Sequence, residues 1–199
     1  MASRSRSPLF VVALVAILAV VAAALAHVAR AEVDRNIYRS PTVGVELVFP
    51  ADWAVSDAPS YPYLLASAID RSLGGRMTLS TEKLHQGEKL REAVERNRTT
   101  LKKVGFKPQA QALTPHPTGA LVFDVATPDG KDLVRQGYRQ FEDDGPIFVL
   151  TLSAPRETMQ RYRRAFDDTL RGLTRTQVTL PRPVTPAPAA PPPAADADE

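Results

Sequence analysis

The chain has 199 residues, of which 44% are apolar, and a formal net charge of +3, so it can form one domain with a hydrophobic core plus tails. Arg4, Arg6 and Arg30 lie in an N-terminal leader without acidic residues; the rest of the chain has 22 basic and 22 acidic residues, which gives no argument for nucleic-acid binding. The lack of cysteine excludes disulfides, thiolate catalysis, zinc–thiolate sites and lipoprotein acylation.

The leader is a short basic segment followed by an unbroken apolar run from Leu9 to Ala26. This layout is typical of an export signal, and the run is intermediate in length between a signal-peptide core and a membrane span of about 20 residues. Three interpretations stay open: an uncleaved inner-membrane anchor through residues 9–26, a signal cleaved after Ala26 or Ala31, or a buried helix of a soluble protein. Basic residues before the run favour an N-terminus inside and a domain outside, in the periplasm.

A strand signal dominates the region after the leader. Alternate residues of Val43–Phe49 are apolar, which predicts a strand with one buried face. Pro50 cannot donate to a sheet and is expected to end that strand. Residues 37–40 are predicted to pair with it, and Trp53, the single tryptophan, to close one end of the core.

The remaining elements follow from changes of hydrophobic period and from turn residues. Helices are expected over residues 87–104 and 157–172, where apolar residues recur every three or four positions. The predicted core-facing residues are Leu90, Ala93, Val94, Leu101 and Val104 in the first helix, and Met159, Tyr162, Phe166, Leu170 and Leu173 in the second. Gly105 is expected to stop the first helix. Hairpin turns are expected at Gly74-Gly75 and at Asp129-Gly130. The further predicted strands cover residues 63–69, 77–84, 106–113, 120–126, 133–141 and 147–152. The last of these is the most apolar and is predicted to be central and buried. Residues 179–199 are rich in proline and alanine, and we predict a disordered tail.

The fold class predicted from this order is α+β, an antiparallel β-sheet with helices packed on it, preceded by an N-terminal hydrophobic helix. The domain plan is a leader at 1–31, one α/β domain at 32–178 and the tail at 179–199. The pattern Gly-x-x-Leu-x-Phe-Pro-x-x-Trp-x-Val at Gly44–Val55 resembles the start of PsbP-like domains. Phe148–Pro155, with the helix of Tyr162 and Phe166, resembles their end.

The PsbP-like superfamily includes the photosystem II extrinsic protein, DcrB-type and LpqN-type bacterial envelope proteins and Ran-binding Mog proteins. The resemblance spans residues 36–175. It implies an α/β/α sandwich that acts by binding and has no enzymatic activity. The lipoprotein members carry a cysteine for lipid attachment that this chain lacks, so the apolar N-terminus would provide attachment here.

Two groups of residues are candidate binding sites. Arginine suits carboxylate or phosphate recognition, and the last helix concentrates it, which suggests an acidic partner or lipid headgroups. The alternative is a solvated helix face with mixed charges. An apolar ligand cleft is the other candidate, beside Trp53, Tyr61 and Tyr63. The candidate arginines are Arg156, Arg161, Arg163, Arg164 and Arg171.

No cofactor, metal site or catalytic residue is predicted. His85 and His116 are the only histidines after the leader, and neither has a second histidine at ligand spacing. The leading hypothesis is an exported, membrane-tethered, non-enzymatic binding or adaptor domain of the bacterial cell envelope, whose partner is an unknown envelope protein or small apolar ligand. The alternative is a small-ligand or lipid carrier with an apolar cleft, and the third class is a hydrolase with unrecognised carboxylates.

Overall fold

The computed structural model describes residues 31–57, 63–110 and 112–177. Within these residues the chain forms strands, one helix, more strands and a second helix, close to the predicted order. The elements are β1 (Glu32–Asp34), β2 (Ile37–Ser40), β3 (Val45–Val48), β4 (Ala54–Asp57), β5 (Leu64–Ile69), β6 (Arg76–Glu82), α1 (Leu90–Lys103), β7 (Lys107–Pro108), β8 (Thr114–Pro115), β9 (Leu121–Ala126), β10 (Asp132–Gln140), β11 (Ile147–Pro155), α2 (Met159–Gly172) and β12 (Thr174–Arg175).

Two antiparallel sheets organise the domain. The larger has the order β4-β5-β6-β11-β10-β9-β7, with β8 also paired to β9, and the smaller has the order β1-β2-β3-β12. Strand β11 is central in the large sheet, because Leu150 lies opposite Leu79 of β6 and opposite Gly137 of β10. This confirms the central position predicted from its apolar run.

One face of the large sheet forms a core with α2 and the small sheet. Alternate residues of β11 point to this side, and Phe148 and Leu150 are fully buried there. Helix α2 contributes Phe166, which has no exposed surface. The small sheet contributes Leu47, and Phe49 follows directly after its strand β3. The predicted core stripe of the last helix is confirmed, since its members are all buried: Met159, Tyr162, Phe166, Leu170 and Leu173.

The opposite face of the large sheet is partly covered by α1. Ala93 and Val94 of the helix are buried against Val149 and against Tyr138, whose ring stacks on that of Phe123 with 5.7 Å between centroids. The sheet therefore has a helix on each side, and the α+β class with helices packed on an antiparallel sheet is confirmed.

Helix α1 has clear local start and stop signals. The Glu92 carboxylate accepts a hydrogen bond of 3.0 Å from the backbone N–H of Lys89, which satisfies one of the free donors at the helix start. Gly105 follows the helix with φ of +95°, a conformation that glycine adopts without steric cost. The predicted glycine stop is confirmed.

The side chain of Tyr162 ties α2 to the turn between β5 and β6. Its hydroxyl donates to Asp70 Oδ2 at 2.6 Å and accepts from the backbone N–H of Gly75 at 3.1 Å. The hydroxyl and backbone N–H of Ser72 also donate to Asp70. The Ser72 hydroxyl, and then that of Tyr162, lower the pKa of Asp70 to about 2. Burial raises the pKa of Tyr162 to about 12, with the hydrogen bond to Asp70 as the next cause.

Three sequence predictions differ from the structure. The strand predicted over residues 106–113 is wrong: only the two-residue strands β7 and β8 form near it, each including a proline that cannot donate to a ladder. Val104, predicted to face the core, is 60% exposed because the helix ends before it. The small sheet also contains β1 and β12, two short strands that the sequence analysis did not predict.

Candidate functional site

A hollow of about 450 Å³ opens beside α1, on the face of the large sheet that this helix covers. We call it the α1 hollow. Its walls come from the start of β5, from β6, β10 and β11, and from the middle of α1. It is lined by Tyr63, Ser80, Thr81, Glu82, Lys83, Asn97, Thr100, Leu101, Gln136, Tyr138, Val149 and Thr151.

The hollow exists because α1 covers only part of the sheet. The helix packs on β10 and on β7 at the far edge, and it leaves part of β6 and β11 open to the hollow. Two of the residues there have hydroxyl side chains: Ser80 follows the buried Leu79, and Thr151 lies between the buried Leu150 and Leu152. These polar residues thus lie where the helix does not cover the sheet.

The floor of the hollow is a chain of side-chain hydrogen bonds. The Tyr138 hydroxyl donates to Gln136 Oε1 at 2.9 Å, and Gln136 Nε2 donates to Thr151 Oγ1 at 3.2 Å. An amide group has two hydrogens and a threonine hydroxyl has one. Within the described chain, the second amide hydrogen of Gln136 and the hydroxyl hydrogen of Thr151 have no acceptor. The floor therefore keeps donors for a ligand.

The negative charge at one wall is balanced inside the protein. Arg96 Nη2 donates to Glu82 at 2.9 Å, and the Asn97 amide donates to the other oxygen of Glu82. Arg96 also donates to Glu88 at 2.8 Å, and this hydrogen bond lowers the pKa of Glu88 to about 2. The same bond to Glu88 raises the pKa of Arg96. Glu82 is thus a paired carboxylate. Arg96 shares one positive charge between two carboxylates, and Lys83 at the same wall supplies a second, so the formal charges of these four groups sum to zero.

Tyr138 provides a neutral hydroxyl. Its side chain is 2% exposed, and burial raises its pKa well above the usual range. Desolvation disfavours the phenolate, so this hydroxyl stays protonated at physiological pH. It can form hydrogen bonds in the hollow, and its raised pKa makes it a poor proton donor at neutral pH.

Tyr63 stands at the rim and is 62% exposed. Its φ of +75° is a left-handed conformation that is uncommon for a bulky residue. The neighbouring strand holds it there, since its carbonyl accepts a 2.7 Å hydrogen bond from the backbone N–H of Thr81. Strained residues that the surroundings hold in place occur often at binding sites.

The structure separates the residues of the predicted apolar cleft. Trp53 is 6% exposed in the core on the α2 side, where its ring meets that of Tyr162 edge to face at 5.5 Å. It borders a different surface hollow, of about 470 Å³, together with Asp70. Tyr63 lines the α1 hollow, and Tyr61 lies outside the described residues. Trp53 and Tyr63 do not share one cleft.

Two of the predicted arginines already bind other groups of the domain. Arg163 forms a 3.0 Å ion pair with Asp124, which Arg135 also contacts at 3.1 Å. The Arg156 Nε donates to the carbonyl of Gly130 at 3.2 Å. These guanidinium groups connect α2 and the end of β11 to the strands beside them.

The other three predicted arginines lie on the solvent side of α2. Arg171 and Arg164 approach the same carboxylate, Asp168, at 2.5 and 3.7 Å. Arg161 is exposed. Asp168 offsets one of the three positive charges, so this surface is mixed in sign and net positive.

Metal ligation was not predicted from the sequence. In residues 31–57, 63–110 and 112–177, no three carboxylate or histidine side chains converge in a way that could hold a metal ion. His116 is engaged locally, with its Nδ1 at 2.9 Å from the Thr118 hydroxyl.

Sequence reasoning missed most of the α1 hollow. Gln136 and Thr151 were within predicted strands, and Asn97 was within the predicted helix, but none was singled out. One signal was available: Thr151 interrupts the apolar run of the central strand. A polar residue at a buried position needs a partner or a solvent-filled space.

Similar folds occur among solved structures. CyanoP, the PsbP protein of Synechocystis sp. PCC 6803, has 12% sequence identity and a TM-score of 0.48 over 74% of this chain and 93% of its own. LpqN of Mycobacterium tuberculosis, involved in cell envelope biogenesis, has 18% identity and a TM-score of 0.49 over 66% of this chain and 83% of its own. A protein of Bacteroides thetaiotaomicron VPI-5482 has 10% identity and a TM-score of 0.46 over 73% and 50%.

No protein-family model and no curated protein sequence matches the chain. The three solved structures have TM-scores of 0.46 to 0.49, and nothing about the function of this chain is drawn from them.

The helices that the structure describes can be compared with the length and hydrophobicity that a membrane span requires. None of the helices in the described part of the chain is long and apolar enough to cross a bilayer. The predicted anchor at residues 9–26 and the predicted tail at 179–199 both lie outside that part.

Proposed function

We propose that this protein is a non-enzymatic binding domain of the bacterial cell envelope, exported and tethered by residues 9–26, which holds a small ligand in the α1 hollow. The observation that carries the proposal is the hollow itself, about 450 Å³ in volume, with free hydrogen-bond donors at its floor and a strained tyrosine at its rim. Small-ligand sites commonly combine this size with a few placed polar groups.

Binding without chemistry is supported by the state of the polar groups. A general acid or base works best when its pKa lies near the working pH, whereas burial moves the pKa of Tyr138 away from neutrality. The carboxylate of Glu82 is held between Arg96 and Asn97. These groups can orient a ligand, but they are poorly placed to exchange protons with it.

A protein partner on the arginine surface is the weaker alternative. Arg163 is bound to Asp124, and Arg171 and Arg164 share Asp168. An acidic partner would have to displace these pairs, which reduces the gain from each new contact.

The location proposal rests on the sequence of the leader. Arg4 and Arg6 precede an apolar run that ends at Ala26, and the described domain begins a few residues later. If residues 9–26 anchor the chain in the inner membrane, the domain lies close to the outer surface of that membrane.

The test of location uses the lack of cysteine in the natural sequence. A Thr99→Cys variant places one thiol on the exposed side of α1. We expect a membrane-impermeant maleimide to label it in cells whose inner membrane is intact, and the full-length chain to stay with the membrane after a carbonate wash. A thiol labelled only after lysis would overturn the outside location.

The test of binding is native mass spectrometry of the full-length protein released from membranes. Thr100 lines the α1 hollow, and Thr99 is the adjacent exposed residue that does not line it. We expect a bound small molecule in the natural protein and in Thr99→Trp, and its loss in Thr100→Trp. A protein that carries nothing, or a ligand retained equally by both variants, would contradict the proposal.

A further inference from the structure

We infer that the ligand of the α1 hollow is an uncharged, hydroxyl-rich ring, with the chemistry of a sugar in its pyranose form. This inference rests on the proposed function and specifies the ligand class for the same site. It follows from three properties of the hollow, which are its mixture of polar groups, its charge balance and its aromatic rim.

The polar groups are almost all neutral and can both donate and accept. Ser80, Thr151 and Tyr138 bring hydroxyls, and Gln136 and Asn97 bring amides. Side chains of this kind match ligands whose own groups also donate and accept, which is the property of hydroxyls. A fatty acyl chain would leave the free donors of Gln136 and Thr151 buried without partners, at a cost to binding.

The charge balance argues against an ionic ligand. Arg96 lies 2.9 Å from Glu82 and is also bound to Glu88, so its one positive charge offsets one of the two negative charges, and Lys83 offsets the other. Lys83 is the cation among the lining residues. A single lysine near a paired carboxylate cannot form the two parallel hydrogen bonds that an arginine forms with a phosphate or a carboxylate.

The aromatic rim provides an apolar surface for one side of a ring. Tyr63 is 62% exposed, and a hydrogen bond from Thr81 holds its strained backbone, so its backbone is ordered before a ligand contacts the ring. Leu101 and Val149 add apolar surface inside. A pyranose has an apolar C–H face and polar edges, and it can therefore contact Tyr63 while its hydroxyls reach the floor.

The experiment is a titration of the isotope-labelled full-length protein in detergent micelles, followed by the NMR signals of the Gln136 side-chain amide. The probes are maltose, glucose, glucose 6-phosphate and cyclohexanol, a ring of similar size with a single hydroxyl. Each is added up to tens of millimolar, about the range of weak small-ligand affinities. We expect maltose to shift the Gln136 signals in a saturable way and to bind at least about 10-fold more tightly than cyclohexanol. Glucose 6-phosphate should bind no more tightly than glucose.

Variants separate the contacts from folding effects. Thr151→Val keeps the shape and removes one hydroxyl, and we expect maltose binding to weaken about 3- to 10-fold. Tyr63→Ala should weaken it about 10-fold, while Tyr63→Phe, which keeps the ring, should bind nearly as well. Thr99→Val, on the exposed side of α1, is the control and should leave the affinity unchanged.

The same sugar could come free or as the headgroup of a glycolipid. Phosphatidylcholine vesicles with and without glucosyl diacylglycerol distinguish these sources, because only a headgroup ligand gives sugar-dependent vesicle binding that Tyr63→Ala weakens. If cyclohexanol binds as tightly as maltose, or if no probe binds while mass spectrometry shows another bound molecule, the sugar inference is wrong and the proposed function stands. If no probe binds and no molecule is carried, both are wrong.

Discussion

The ring of Tyr162 lies close to the backbone of Gly75, and this contact gives a sharp test of the packing of the domain. A methyl group added at Gly75 would place its Cβ 2.5 Å from Cζ of Tyr162, and 2.8 and 2.9 Å from the two ε carbons of that ring. The ring cannot easily retreat, because its hydroxyl is bound to Asp70 and to Gly75 itself, and Trp53 meets the ring edge to face. Gly75→Ala therefore tests the position of α2 against the β5–β6 turn.

We expect Gly75→Ala to destabilise the domain by about 1–3 kcal/mol, the usual cost of overpacking. For a domain of this size, this lowers Tm by about 2–4 °C per kcal/mol. The assay is urea and thermal unfolding followed by circular dichroism. Gly172→Ala is the matched control, since its Cβ would lie at an ordinary 3.5 Å from the Cβ of Val48, and it should be neutral or stabilising by up to about 1 kcal/mol.

A double-mutant cycle isolates the clash. Tyr162→Leu removes the end of the ring that the added methyl group would meet, so Gly75→Ala should cost clearly less in that background than in the natural protein. If Gly75→Ala is as stable as the Gly172→Ala control, or if its cost is unchanged by Tyr162→Leu, then Tyr162 does not press on Gly75 as described.

Three further outcomes follow from the same structure. The hydrogen bond from Arg96 holds the pKa of Glu88 at about 2 in the folded chain, below its ordinary 4.5. The stabilisation that the Glu88 carboxylate gives the folded state is complete above about pH 4.5 and is lost as the pH falls towards 2. The free energy of unfolding in urea should therefore depend less steeply on pH in Glu88→Gln across that window. Tyr162→Phe removes a hydroxyl that donates to Asp70, and we expect an NMR titration to show the pKa of Asp70 rising from about 2 towards 3.8. Phe166→Ala empties a fully buried site of the α2 core and should cost about 3–5 kcal/mol in urea unfolding; a cost below about 1 kcal/mol would contradict the position of α2 over the sheet.

The candidate site contains features that could not be predicted from the sequence. Trp53, Tyr61 and Tyr63 are close in the chain and were predicted to border one apolar cleft. In the structure the tryptophan is buried in the α2-side core, and Tyr63 lies at the rim of a hollow beside α1. Strand pairing decides which side of a sheet each residue meets, and proximity in the chain carries no information about it.

The α1 hollow itself depends on distances that no local pattern encodes. Gln136 in β10 and Thr151 in β11 face each other only because those strands pair in the observed register. Glu82 receives Asn97 and Arg96 because α1 crosses beside β6. The residue types are visible in the sequence, but their convergence comes from tertiary packing.

By itself, the sequence determined the α+β class, both helices, the central strand β11 and the core stripe of α2. These features depend on hydrophobic periodicity and turn residues within single segments, where local geometry alone decides which side chains share a face. The tertiary structure alone decided that β1 and β12 extend the predicted β2–β3 pair into a second sheet, that the chain runs irregularly through β7 and β8, and that a hollow opens beside α1. The strands β1, β7, β8 and β12 have only two or three residues each, so their local preference is too weak to predict and they gain stability from the surfaces that they meet. The hollow depends on where α1 crosses the sheet, which no single segment determines.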